Sequence, residues 1–184
     1  ARMTNTASHF GVEFDSLADI VAFGVAPALL LYLYVGETYG RIGIVVSALF
    51  IIFGAVRLAR FNVTTSRIEP SVFIGLPIPT AAIMISIAVL LMERYKEFYE
   101  LKVALLPLGI ILAILMVSNI RYPSFKKMNF KAFHFIRFLI TLIVVAMGIF
   151  VYPIEALALL AAGYLLYGPI RASFYLLRRL IHIG

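Results

Sequence analysis

Two aspartates stand one helical turn apart just before a long apolar stretch, and they are the residues of this chain best suited to chemistry. Asp15 and Asp19 are four positions apart, so on a helix both carboxylates project from one face, a turn beyond Gly11. Oxygen ligands without His or Cys favour a hard cation such as Mg²⁺ or Mn²⁺, which in turn binds phosphate oxygens. The pattern therefore predicts a divalent metal site that serves a phosphate-bearing ligand.

A second interpretation of the same pair needs no ligand. An ionised Asp in a membrane helix costs roughly 2.5–3.5 kcal/mol on insertion scales, so it requires a partner of some kind. Arg57 and Arg60 are three positions apart and share a predicted helix face. Salt bridges from these arginines to the aspartates, acting only to join helices, are the alternative to a metal ion.

The elements that must position these side chains are membrane helices. The chain of 184 residues is 63% hydrophobic with a mean hydropathy of +1.03, and its apolar runs approach the roughly 20 residues that cross a hydrocarbon core. It has no cysteine, which excludes disulfides and thiolate metal sites. The net charge of +7 points to anionic lipid and phosphate, and we expect no nucleic acid partner, because no soluble segment is long enough for a basic domain.

Apolar spans separated by short polar loops predict an all-α fold, a polytopic transmembrane helical bundle. No linker, repeat or low-complexity tract divides the sequence, so we expect residues 1–184 to form a single domain. The six predicted spans are 12–35, 42–62, 72–93, 102–120, 134–152 and 154–173.

Basic residues concentrate at one set of helix ends, which carries 12 of the 16 Lys and Arg. By the positive-inside rule, the end with Asp15 and Asp19, the loops at 63–71 and 121–133 and the C-terminus face the cytoplasm. We therefore expect an integral protein of the cell membrane with its site on the cytoplasmic side.

The spacing around the aspartates resembles the signature of the CDP-alcohol phosphotransferase family. Ala1 and Arg2, then Gly11, Asp15 and Asp19 match every fixed position of the second half of that signature. Its first half is Asp, two residues, Asp-Gly and two more residues before the Ala. The resemblance therefore implies two more aspartates and two more helices ahead of Ala1, so that six of an expected eight helices are present here.

Further blocks resemble the members of the family that accept serine; they cover residues 14–19, 23–27, 57–62, 73–79 and 122–126. This resemblance implies transfer of the phosphatidyl group from CDP-diacylglycerol to the hydroxyl of L-serine, with release of CMP. It also implies a homodimer embedded among membrane lipids.

The resemblance assigns roles to the motif residues. It implies a site of two divalent cations, Mg²⁺ or Mn²⁺, held by four aspartates, of which Asp15 is the third and Asp19 the fourth. Asp15 would ligate metal, and Asp19, also at the metal site, is the family's usual candidate for the general base. Arg2 and Gly11 match positions that lie near the CDP moiety.

Five more side chains are candidate substrate contacts. Arg57, Arg60 and Asn62 fall at the cytoplasmic end of a predicted helix, where they could hold diphosphate or the serine carboxylate, or serve only as flanking charge. Tyr122 and Lys126 could gather anionic headgroups or reach serine, or merely anchor a loop at the membrane interface.

Other functions fit the same residues. A sister enzyme of the family could use glycerol phosphate or inositol phosphate as acceptor, or an ether-lipid donor as in archaetidylserine synthesis. From a different class, an ion-coupled transporter could bind its coupling ion at Asp15 and Asp19. Such transporters usually carry inverted repeats and discontinuous helices, and the sequence shows no such repeat.

Overall fold

A computed structural model describes residues 9–64, 72–123 and 135–181, and these residues form a bundle of six helices. The first helix runs without a break through α1 (His9–Ile20), a π-helical turn (Val21–Val25) and α2 (Ala26–Tyr34). The others are α3 (Arg41–Thr64), α4 (Ile78–Arg94), α5 (Leu105–Val117), α6 (Phe135–Val151) and α7 (Pro153–Ile181), with 3₁₀ turns at Gly36–Tyr39 and Lys96–Ala104.

The six described helices confirm the predicted all-α membrane bundle, although two of them, α4 and α6, are not among the stretches long enough to cross a membrane. Helix α4 has 17 residues, and the apolar part of α6 runs from Phe138 to Val151. Four helical stretches are long and apolar enough to cross a membrane. In the hydrocarbon core, a single segment can satisfy all of its backbone N–H and C=O groups only as a helix. The four stretches are Glu13–Tyr34, Arg41–Val63, Tyr99–Val117 and Pro153–Phe174.

The third predicted span, 72–93, is wrong over its first six residues. Val72–Ile74 forms a strand, β1, and α4 begins only at Ile78. Pro77 is the extended residue before the helix, with φ −60° and ψ 136°, and Pro79 lies in the first turn, where a missing N–H breaks no intrahelical bond. The prolines therefore set the start of the helix.

A short ribbon crosses the basic end of the bundle. Strand β1 pairs antiparallel with β2 (Arg121–Pro123), and Phe73 lies opposite Tyr122. The predicted span 102–120 is accordingly too long at its end, because α5 stops at Val117. The ribbon brings the segments that follow α3 and α5 into contact.

The core lies where α2, α3, α4 and α5 meet, and α7 packs along the outer side of α4. Close approach is possible because Gly109 on α5 leaves room: a Cβ there would lie 2.8 Å from Leu31 Cδ2. The largest side chains with almost no exposed surface include Leu31, Phe50, Ile85, Leu112 and Met116.

The π-helical turn in the first helix coincides with a proline. Pro27 has no N–H to donate, and the preceding Ala26 bonds through its N–H to the carbonyl of Val21. The turn therefore takes up one extra residue between the aspartates of α1 and the buried part of α2.

Helix α7 is fixed to α4 at the end of the bundle opposite the aspartates. Glu155 accepts a hydrogen bond from the Tyr95 hydroxyl at 2.5 Å, and its carboxylate lies 3.2 Å from Arg94 Nε. Helix α6 packs mainly against α7, and most of its side chains are exposed on the remaining surface.

Gly75, between β1 and α4, is expected to tolerate no side chain. Its φ is +77°, which costs other residues about 1–2 kcal/mol, and a Cβ would lie 2.2 Å from the carbonyl oxygen of Met116. We predict that Gly75→Ala lowers the melting temperature in detergent by roughly 4 °C or more. The matched control is Gly163→Ala, where a Cβ meets nothing within 4 Å. Equal melting temperatures for the two variants would contradict the prediction.

Candidate active site

Helix α1 and the end of α3 meet at the basic end of the bundle and bring predicted residues together. The side-chain amide of Asn62 donates to the Ser16 hydroxyl at 2.9 Å. This bond ties the segment between Asp15 and Asp19 to the end of the helix that carries Arg57. The predicted carboxylates and Arg57 therefore lie on elements that meet at the same end of the bundle.

Both aspartates are available to a ligand. Asp15 is exposed and Asp19 is half-buried. Neither carboxylate forms a hydrogen bond or ion pair within the described ranges, so the salt bridges to Arg57 or Arg60 considered above are not formed there. Asp19 is nonetheless close enough for its charge to act on the guanidinium of Arg57.

The pair fits a divalent cation but supplies only part of its coordination. Two carboxylates one turn apart, with no competing partner in the part of the chain that the structure describes, are suitable ligands for Mg²⁺ or Mn²⁺. In the part of the chain that the structure describes, no group of three or more His, Asp or Glu side chains could hold a metal ion. Asp15 and Asp19 would hold the cation together with water, ligand phosphate or groups beyond the described residues.

Arg57 is a buried cation without a partner for one of its donors. Only 5% of its surface is exposed, and its guanidinium lies over Phe61 at 5.1 Å and Phe73 at 5.9 Å from the ring centroids. Its buried Nε has no hydrogen-bond partner among the described residues. An unsatisfied donor on a buried charge is unfavourable, so this position suits an anionic ligand.

Arg60, one turn further on, is engaged with the protein itself. Its guanidinium donates to the carbonyl of Val117 at 3.0 Å, to that of Ser118 at 2.9 Å and to that of Ile74 at 3.2 Å, with longer contacts at 3.4 Å to Met116 O and Asn119 Oδ1. These oxygens lie at the end of α5, where carbonyls lack helical partners, and on β1.

These contacts give Arg60 a structural role that sequence reasoning did not assign to it. Arg57 and Arg60 were predicted together as substrate contacts, and the structure separates them: Arg60 joins α3, α5 and β1, whereas Arg57 keeps a free donor. Substrate contact by Arg60 stays an untested prediction.

Tyr122 is packed inside the protein. Its side chain is fully buried, its hydroxyl lies 3.5 Å from the carbonyl of Leu165, and its ring stacks on Tyr164 at 5.5 Å. Burial raises the pKa of Tyr122 to about 12, so the hydroxyl stays neutral. The structure gives Tyr122 a packing role, and its predicted contact with substrate stays untested.

Sequence reasoning missed the aromatic surroundings of Arg57. Phe61 and Phe73 lie against its guanidinium. Tyr164 on α7 stacks on Tyr122, which lies opposite Phe73 in the ribbon. The sequence gives one weak indication that α7 packs closely against another element, because Gly168 stands just before Pro169 in an otherwise apolar helix.

The remaining predicted residues divide into one that is described and two that are not. Gly11 lies on α1, exposed, one turn before Asp15. Arg2 and Lys126 lie outside the described residues. Their predicted contacts with the CDP moiety and the substrate stay predictions.

Comparison with known proteins identifies the relatives of this chain. The model of the CDP-alcohol phosphatidyltransferase family matches residues 1–115. A CDP-diacylglycerol–serine O-phosphatidyltransferase of Helicobacter pylori (strain J99) is 54% identical over 97% of this chain and 74% of the relative. A protein of the same name from Methanocaldococcus jannaschii is 36% identical over 93% of this chain and 74% of the relative.

A relative that is named for a different lipid also matches. An archaetidylserine synthase of Methanothermobacter thermautotrophicus is 40% identical over 65% of this chain and 48% of the relative. The similarities thus include proteins named for two kinds of lipid, and serine is common to all three names.

The contacts of Arg60 predict that lysine cannot replace it. A single ammonium group cannot reach the carbonyls on both α5 and β1, and hydrogen bonds from a charged donor contribute about 1.5–3 kcal/mol. Arg60→Lys should therefore lower the melting temperature by roughly 5 °C. Arg41→Lys, at an exposed position at the start of the same helix, serves as the control. An unchanged melting curve for Arg60→Lys would show that these carbonyl contacts do not hold the fold together.

Proposed function

The chain belongs to the CDP-alcohol phosphatidyltransferase family, and from this premise we propose that it makes phosphatidylserine. The reaction is transfer of the phosphatidyl group from CDP-diacylglycerol to the hydroxyl of L-serine, with release of CMP. Relatives named for this reaction, at 54% and 36% identity over nearly the whole chain, support the acceptor and the donor.

The observation that carries the choice of acceptor is the different use of the two arginines. A phosphorylated acceptor carries about two negative charges and is usually held by a cluster of guanidinium groups. Arg60 directs its donors to carbonyl oxygens. Arg57 is buried, and its Nε has no hydrogen-bond partner among the described residues. One available guanidinium suits a single carboxylate such as that of serine.

The step requires a base for the serine hydroxyl. We assign this role to Asp19, which is unpaired in the described ranges and near Arg57. Its carboxylate takes the hydroxyl proton as the serine oxygen attacks the phosphatidyl phosphorus, and the bond from that phosphorus to the CMP oxygen breaks. With the carboxylate of serine on Arg57, the hydroxyl is presented to the same end of the bundle as Asp19.

Asp15 and Asp19 would hold divalent cations, Mg²⁺ or Mn²⁺, and we propose two as the family resemblance implies. When bound, such cations neutralise the diphosphate and stabilise the departing nucleotide phosphate. Carboxylates beside divalent cations remain ionised near neutral pH, which suits a ligand and a base alike.

We place this site on the cytoplasmic side of the cell membrane, because most basic residues lie at the same ends of the helices as the aspartates. The homodimer that the resemblance implies, and contacts with particular membrane lipids, stay predictions.

The nearest alternatives differ in the lipid or in the acceptor. The relative named archaetidylserine synthase makes an ether-lipid donor one alternative. Glycerol phosphate and inositol phosphate are the alternative acceptors. An ion-coupled transporter is disfavoured by membership of a transferase family.

Because only the guanidinium of Arg57 is proposed to bind the acceptor, we predict that the protein prefers L-serine to phosphorylated acceptors. The protein made from its complete coding sequence should release CMP from CDP-diacylglycerol with L-serine in the presence of Mg²⁺ or Mn²⁺, and release should stop with EDTA and return when the cation is restored. Glycerol 3-phosphate and inositol phosphate should release at least tenfold less CMP. The ether-lipid donor is compared in the same assay. Faster release with a phosphorylated acceptor would exclude serine as the substrate.

We predict that Asp19→Asn removes turnover. Loss of a general base lowers the rate by about 10²–10⁴-fold. Asp15 still supplies a carboxylate to the cation, so we expect binding of the nucleotide lipid to be largely kept. The matched control is Glu13→Gln, an exposed carboxylate on the same helix that lies on a different face. CMP release and binding of labelled CDP-diacylglycerol are measured in parallel. Full activity of Asp19→Asn would rule out Asp19 as the base, and ion flux without CMP release would favour a transporter.

A further inference from the structure

Helix α7 lies beyond the residues that the family model matches, yet it reaches the candidate active site. The model covers residues 1–115, whereas α7 begins at Pro153. The hydroxyl of Tyr164 donates to the carbonyl of Pro123 at 3.2 Å, and its ring stacks on that of Tyr122, with planes inclined by 27°. One side chain of α7 therefore holds β2 by both a hydrogen bond and a ring contact.

Tyr122 is held on its other side by the backbone of α7. A Cβ at Gly168 would lie 2.4 Å from Tyr122 Cζ and 2.9 Å from its hydroxyl oxygen, so the ring occupies the space that a side chain at 168 would need. Tyr164 and Gly168 are four positions apart on the same face of α7. Together they form a slot that fixes the ring of Tyr122.

The β1–β2 ribbon connects Tyr122 to the surroundings of Arg57. Tyr122 lies opposite Phe73 in the β1–β2 register, and Phe73 is one of the two rings beneath the guanidinium of Arg57. A continuous series of contacts thus leads from Tyr164 through Tyr122 and Phe73 to Arg57.

The guanidinium of Arg57 depends on these rings for its orientation. Its Nε has no hydrogen-bond partner in the described part of the chain, so ring contacts are what holds the group there. A cation over aromatic faces is attracted without being fixed by directional bonds. Displacement of Phe73 therefore moves or tilts the planar donor group, whereas a hydrogen-bonded arginine would resist it.

We propose that Tyr164 is a positioning residue for Arg57, and that α7 thereby contributes to selection of the acceptor. The inference rests on the proposed function, in which Arg57 binds the serine carboxylate. Recognition of a carboxylate by a guanidinium requires two donors in one plane, so a small tilt weakens acceptor binding. Binding of the nucleotide lipid, which depends on other groups, is not affected.

The experiment separates acceptor binding from the rest of catalysis. Tyr164→Leu removes both the ring and the hydroxyl, and Tyr164→Phe removes only the bond to Pro123. We expect KM for serine to rise about tenfold in Tyr164→Leu and about threefold in Tyr164→Phe. In both variants kcat and KM for CDP-diacylglycerol should stay within twofold of the wild type.

Tyr167 provides the matched control because it lies on the same helix and is exposed. Tyr167→Leu and Tyr167→Phe should leave all three kinetic constants within twofold. If Tyr164→Leu does not fold, Tyr164→Phe decides the question, since it keeps the stacked ring. A KM for serine that stays at the wild-type value in Tyr164→Phe would then overturn the inference.

A double-mutant cycle tests whether Tyr164 acts through Arg57. In an Arg57→Lys background the planar donor group is absent, so Tyr164→Leu should raise KM for serine by less than twofold. Independent, multiplying effects would overturn the inference, as would an equal rise of both KM values. A wild-type protein that releases no CMP with serine would overturn the proposed function as well, whereas an active wild type with unaffected Tyr164 variants overturns only the positioning role.

Discussion

The rest of the site depends on the contact between the Arg60 guanidinium and the carbonyl groups at the end of α5. A helix ends in carbonyls without intrahelical partners, and in a membrane protein each of them must be satisfied within the chain. Arg60 serves several of these oxygens at once and also reaches Ile74 on β1. Gly75 allows the approach, because any side chain there would occupy the space of the guanidinium and of the Met116 carbonyl. A single cation thus sets where α3, α5 and the ribbon meet.

The different contacts of Arg57 and Arg60 follow from this arrangement. Arg60 takes the backbone oxygens, so the ribbon that it fixes can present Phe73 to Arg57. Arg57 lies against aromatic faces, and its buried Nε has no hydrogen-bond partner among the described residues. Asp15 and Asp19 show the same property with the opposite charge, since neither has a partner in the described ranges. In the described ranges, the fold places both aspartates and both arginines at the same end of the bundle without ion pairs between them.

The helices and the carboxylate pair could be predicted because both are local properties of the sequence: apolar runs give spans, and a spacing of four gives a shared face. The ribbon could not, because it joins Phe73 to Tyr122 from distant segments. The separate roles of the two arginines were equally hidden, since only the position of the α5 carbonyls distinguishes Arg60 from its neighbour. Tyr164 lies in a helix that matched expectation by hydropathy alone, and its partners become visible only when α7 is packed against β2.

The π-helical turn at Val21–Val25 changes the angular phase of the first helix. In an uninterrupted α-helix each residue advances about 100°, so Asp19 and Leu31, twelve positions apart, would point about 120° away from each other. One inserted residue removes about 100° of that difference and leaves roughly 20°. The carboxylate of Asp19 and the fully buried Leu31 therefore point in nearly the same direction around the helix axis. This turns the half-buried Asp19 toward the bundle, while Asp15, one turn earlier, stays exposed. Deletion of one residue from this turn would rotate Asp15 and Asp19 by about 100° relative to α2 and direct Asp19 toward the surrounding lipid. The helix would become shorter by only the axial rise of one residue.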